Sequence, residues 1–182
     1  MSKVVGGKRK LTYEEYRLFH EDGRRHEIID GDHFVNPAPG TYHQRLSRRI
    51  QFAIYSQVEA HGVGEVFNAP TDVQLSDTDV VQPDLVVVLV AHVQLITPTK
   101  IKGIPDLIVE ILSPSNADYD RRLKKALYER SGVPEYWVVD PTERRIDQFV
   151  LKDGVYTLFA AVEREIRCAT IANLVIDLTK VW

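Results

Sequence analysis

Two stretches constrain this chain more than any others: "VQPDLVVV" at residues 81–88 and "GIPDLIVEIL" at 103–112. In each, a Pro-Asp pair is followed by a run of mostly β-branched residues. The run is apolar on both faces, as a strand in the middle of a doubly covered sheet must be. Strands are therefore expected from Asp84 to Val90 and from Asp106 to Leu112. Two such strands need covering layers, so a mixed α/β domain is expected, its central sheet flanked by helices.

The remaining chain supplies those layers. Thr12 followed by Glu15 reads as a capping box opening a helix that ends near Gly23. In "HEIIDGDHF", Asp30-Gly31 lies between strand-like runs and marks a tight hairpin, and Asp153-Gly154 marks a second. Leu46, Ile50, Ile54 and Val58 recur every four residues up to Gly62, giving an amphipathic helix. Further strands are expected at 64–68, 71–75 and in "PEYWVVD", and a helix from Asp118 to Gly132. On that helix the apolar stripe is Leu123, Ala126 and Leu127, with Lys124 at its inner edge and Lys125 pointing away. Residues 1–10 read as a flexible tail and 11–182 as one domain, a size that supports one sizeable core.

Composition excludes several classes. The net charge of −3 gives no global basic footprint, so a polyanion would be held by local patches such as Arg45, Arg48, Arg49, Arg121 and Arg122, or through metal ions. Cys168 is the only cysteine, which rules out a paired-cysteine zinc site within one chain. The longest apolar run, Leu85 to Ala91, is too short to cross a bilayer, and the first residues lack a signal peptide's apolar stretch. A soluble cytoplasmic protein is expected.

Chemistry concentrates on the twin strands. Glu110 shares a strand face with Ile108 and Leu112, where an ionised carboxylate costs several kcal/mol unless paired or metal-bound. If the two strands are neighbours, Asp84 and Glu110 converge, and two close carboxylates invite a hard cation such as Mg²⁺. A salt bridge for Glu110 and a snorkelling surface position for Lys124 remain open readings at this point.

Taken together, "HEIIDG", "APTDVQL", "VQPDLVVV", "GIPDLIVEILSPS", "DRRLKKALYERSGVPEYWVVDP" and "KDGVY" resemble the Uma-type endonuclease family of the PD-(D/E)XK restriction-endonuclease-like superfamily, over about Leu11 to Phe159. The resemblance implies a restriction-endonuclease-like core with added β-hairpins and a metal-dependent phosphodiesterase acting on nucleic acid, with DNA the expected substrate. It implies Asp84, Glu110 and the backbone carbonyl of Ile111 as Mg²⁺ ligands, Mn²⁺ as a substitute, Glu27 near the metal, and a homodimer. The superfamily's lysine stands two residues after the second acid, where this chain has Leu112; the family resemblance moves that role to Lys124 on the following helix. Family members usually have Tyr where this chain has His26.

Other polar residues take blander expectations. Asp106 reads as a cap or turn residue, Asp72 as a turn or family residue, His43 as a surface or packing residue with substrate contact the alternative, and Tyr136, Trp137 and Trp182 as core or interface packing with base stacking the alternative. Ser113, Pro114 and Ser115 read as a loop. "TIANLVIDLTKVW" either finishes the core or forms an interface. A non-catalytic nucleic-acid-binding or assembly module on the same fold and a two-carboxylate glycosidase are the competing readings. The presence of Glu27, Asp84, Glu110 and Lys124 together favours the nuclease.

Overall fold

The computed structural model describes residues 2–4, 9–19, 22–113 and 117–182. The elements in its first half are β1 (Ser2–Val4), α1 (Tyr13–Tyr16), β2 (Arg25–Ile29), β3 (Asp32–Asn36), α2 (Thr41–Tyr55), β4 (Gly64–Asn68), β5 (Val73–Gln74), β6 (Val80–Val81) and β7 (Leu85–Leu89). There follow β8 (Ile101–Lys102), β9 (Leu107–Ile111), α3 (Ala117–Ser131), β10 (Glu135–Asp140), β11 (Arg145–Lys152), β12 (Val155–Val162), β13 (Glu165–Arg167) and β14 (Val175–Asp177).

The twin strands lie side by side in a six-stranded mixed sheet ordered β12-β11-β10-β9-β7-β4, in which only β9 and β10 run parallel. Because side chains alternate along a strand, each apolar run feeds two cores. Leu85, Val87, Leu107 and Val109 face α2 through Leu46, Ile50 and Ile54. Val86, Val88 and Ile108 face the opposite way, toward Leu127 and Tyr128 of α3 and toward Ile29, Val73 and Val81 of a second sheet. That second sheet is ordered β1-β3-β2-β6-β5-β8. Its hairpin turns at Asp30 and Gly31, both at positive φ (50° and 68°), as the Asp-Gly pair requires. Any side chain at Gly31 would also collide with Lys10, whose Cβ would lie 2.6 Å away.

Several expectations change. α1 has only four residues and caps at Arg17, well short of Gly23, around which Asp22 accepts a hydrogen bond from the Arg24 N–H. α2 begins at Thr41, a turn earlier than its apolar stripe indicated. On α3, Ala126 is exposed while Tyr128 is fully buried, and Lys125 does not point away: its ammonium lies over the Phe149 ring, 4.6 Å from the centroid. Ser2–Val4 pair antiparallel with β3, and the remainder of the first eight residues, with Pro114 and Ser115, lies outside the described residues. The C-terminal segment finishes the core: Ile171, Leu174, Ile176, Leu178 and Val181 pack against α2.

Candidate active site

The register of β7 against β9 pairs Leu85 with Val109. Carried one residue further, it sets Asp84 opposite Glu110, and the Ile111 N–H donates to Asp84 Oδ2 at 2.9 Å. Both acids therefore stand on the α3 side of the sheet, at the ends of their ladders. The next registers extend the row from Glu110 to Val138 and on to Asp147. Asp147 is buried and paired with Arg121 and Arg145.

The second sheet and the helices close over this row. Glu27, fully buried on β2, accepts from Lys124 Nζ at 2.5 Å, from the Gln82 N–H at 2.7 Å and from Asn36 Nδ2 at 2.9 Å. Lys124 lies 3.2 Å from Glu110 Oε1 as well, so one ammonium joins the two sheets. Tyr128, one turn along α3, donates to the same Glu110 oxygen at 2.6 Å. Asp84 Oδ1 receives Arg25 Nη1 at 3.0 Å and His43 Nε2 at 2.9 Å. Arg25, His43, Asp84, Glu110 and Lys124 line one cleft of about 290 Å³, open to solvent between the α2 entry loop and α3, and Glu27 and Tyr128 are buried behind it.

Charge in the cleft is unevenly balanced. Burial opposes ionisation of Glu27, but the Lys124 ammonium with the Gln82 and Asn36 donors outweighs it and holds the carboxyl below its usual range. Burial likewise opposes ionisation of Asp84, and His43, Arg25 and the Ile111 N–H reverse that. Glu110 goes the other way: burial, with negative Asp84 and Glu27 beside it, outweighs Lys124 and raises its carboxyl. Lys124 stays protonated, since the two glutamates overcome its desolvation. Arg25 and Lys124 thus hold Asp84, Glu27 and Glu110, while Arg121 on the same cleft wall is paired with Asp147.

Asp84 and Glu110 are hard oxygen donors at adjacent positions, a pair that suits a divalent ion. No three metal-ligating side chains form a ready cluster among the described residues. The cations of the chain itself hold the carboxylates, and a bound metal would have to compete with them.

All four residues singled out in the sequence, Glu27, Asp84, Glu110 and Lys124, meet here. Arg25 was missed as a site residue and His43 was given a surface or packing role ahead of substrate contact, although both carried a signal. Arg25 stands two residues before Glu27 and so shares its strand face. His43 extends the stripe of Leu46, Ile50 and Ile54 back by one turn. Asp106 is placed elsewhere: it accepts from the Leu89 N–H and His92 Nδ1, each at 2.8 Å, which caps the end of β7. Asp72 binds the Tyr16 hydroxyl and the Gln82 amide. Arg49 anchors the C-terminus by donating to the Val181 and Trp182 carbonyls, and Arg45 lies over the Tyr42 ring.

A mixed sheet flanked by helices, with an acid row and a helix-borne lysine at one end, defines a restriction-endonuclease-like protein. A solved structure titled as a "putative nuclease" from Anabaena variabilis shares the fold, with a TM-score of 0.77 over 94% of this chain and 97% of that one, at 18% identity. An uncharacterized protein of Synechocystis is 29% identical over 147 residues, covering 79% of this chain and 76% of the relative. Residues 12–178 match the family Uma2, described as "Putative restriction endonuclease", and the chain belongs to that family of nucleases.

Proposed function

We propose that this chain is a divalent-metal-dependent endonuclease that hydrolyses phosphodiester bonds of DNA. The observation that carries the reading is the convergence of Asp84 and Glu110 at adjacent register positions on the wall of an open cleft, with the Lys124 ammonium 3.2 Å from Glu110. Asp84, Glu110 and the Ile111 carbonyl would hold the ion, Mg²⁺ or Mn²⁺, which when bound neutralises phosphate charge and acidifies its water. Lys124, protonated and fixed between Glu27 and Glu110, orients the attacking water and stabilises charge developing on the phosphate. Glu27 holds the Lys124 ammonium in place. His43 and Arg25 orient Asp84. The proposal includes a homodimer acting in the cytoplasm, the first part checked by sedimentation velocity.

The test incubates purified protein with supercoiled DNA, single-stranded DNA and RNA, in Mg²⁺, Mn²⁺ or EDTA. Cleavage of DNA is expected with either metal and none with EDTA, and Asp84→Ala and Lys124→Ala should each lose about a thousandfold. Cleavage that survives chelation or both substitutions would sink the reading. Tight binding without turnover would favour a non-catalytic binding module.

A further inference from the structure

One group in the cleft is unexplained by the acid cluster. Tyr136 on β10 is 0% exposed and lines the cleft, yet its hydroxyl has no hydrogen-bond partner among the described residues. Burying a hydroxyl without a partner costs free energy, so such groups are rare and call for a reason. The two tyrosines packed against its ring are both satisfied: Tyr128 donates to Glu110, and Tyr156 to the Val133 carbonyl at 2.8 Å. Ring packing accounts for an aromatic residue at 136, since Tyr128 meets it edge-on with centroids 5.0 Å apart and Phe149 stacks at 6.1 Å. A phenylalanine would pack equally well there. The hydroxyl needs another purpose.

Its surroundings indicate what it can bind. Arg25, which lines the same cleft, uses one guanidinium nitrogen on Asp84 and leaves its buried Nε without an acceptor. Arg121, held by Asp147, lines the wall nearby, as does Lys124. Burial, reinforced by negative Glu110, pushes the Tyr136 hydroxyl well above its ordinary value, so it stays protonated and can donate. Two unused donors flanked by cationic side chains suit an anionic oxygen with several lone pairs, and a phosphodiester supplies two.

We propose that the Tyr136 hydroxyl and Arg25 Nε form a seat for a non-bridging phosphate oxygen, which holds the nucleic-acid backbone beside Asp84 and Glu110. This rests on the nuclease reading for its substrate, but its donors can be tested without turnover. Tyr136→Phe removes the hydroxyl alone. Tyr156→Phe, which removes a hydroxyl that donates to the Val133 carbonyl on a residue outside the cleft lining, serves as the control.

The experiment measures binding of a short fluorescent single-stranded DNA, and of inorganic phosphate in competition, to the full chain in Ca²⁺ and in EDTA. Tyr136→Phe should weaken binding about tenfold, the order of one hydrogen bond to a charged group, with a melting temperature equal to or above that of the wild type. Tyr156→Phe should bind as wild type while melting lower. Where cleavage is seen, KM should rise more than kcat falls. Equal affinity of wild type and Tyr136→Phe overturns the proposal, and so does a wild type that binds neither probe. A wild type that binds through Tyr136 and never cleaves would instead remove the nuclease reading and leave the phosphate seat standing.

Discussion

Glu135 and Glu27 are both fully buried carboxylates on strands, and what separates them is the charge of their partners. Glu135 Oε1 accepts from Trp137 Nε1 and Gln148 Nε2, each at 2.6 Å. Its Oε2 accepts from Cys168 Sγ, the Ala169 and Thr170 N–H groups and the Thr170 hydroxyl. All six donors are neutral, and they pin the chain just before β14 to the central sheet. The cluster of Glu27, Asp84 and Glu110 also takes neutral donors from Gln82, Asn36, Ile111 and Tyr128, but adds Lys124, Arg25 and His43, cationic or titratable side chains beside a cleft. The difference separates structure from chemistry. A charge dissolved among neutral donors, four of the six from the short segment 168–170, has no route to exchange partners, whereas a charge balanced by cations at a cleft can trade them for a ligand.

The largest effect that bears on this contrast is on Glu135. Replacing it by alanine strands its six donors, and a loss of about 3–5 kcal/mol is expected, read as a shift in the urea midpoint. A loss no greater than that of a surface substitution would break the comparison. Lys124→Ala should cost less, about 2–3 kcal/mol, because solvent from the cleft can reach the carboxylates it leaves.

That loss should depend on pH. Glu27's folded carboxyl lies below its ordinary value of 4.5, so the stability from its pairing is present above that value. It is lost as pH falls through the depressed folded value, and acid titration of wild type should show this where Lys124→Ala does not.

A matched pair of substitutions sharpens the contrast further. Glu110→Gln keeps an acceptor for Tyr128 and removes the least compensated charge, so it should stabilise the fold by about 1 kcal/mol while abolishing cleavage. Glu135→Gln should destabilise by about 1–2 kcal/mol, since an amide presents one acceptor oxygen to donors placed for two. Equal signs in thermal melts would contradict the distinction. The smallest effect concerns Cys168, whose thiol burial and the nearby Glu135 push up to about 12. It should resist thiol reagents at neutral pH until the chain unfolds.

Much of this was legible in the amino-acid order. The twin runs at Leu85 and Leu107 read as central strands because they are apolar on both faces, and Asp30-Gly31 and Asp153-Gly154 as tight turns because local sterics favour those residues at positive φ. Glu110 announced itself as a charge on an apolar face. The partners of these acids were harder to read. Arg25 and His43 approach Asp84 from opposite layers, and that meeting depends on how far two sheets and a helix slide together, which no local spacing records. The short strands β13 and β14 were missed for a related reason: three residues each carry too little alternation to stand out. Glu135, read as part of a buried strand, gave no sign that residues 168–170 would fold back onto it.

Lys124 contacts an acid from each sheet, and it does so whether or not a phosphodiester is ever broken. The ammonium is a rivet as well as a reagent. A descendant of this chain that gave up turnover would still need it to keep its two layers docked, so its persistence in a sequence testifies to an intact architecture before it testifies to a working enzyme.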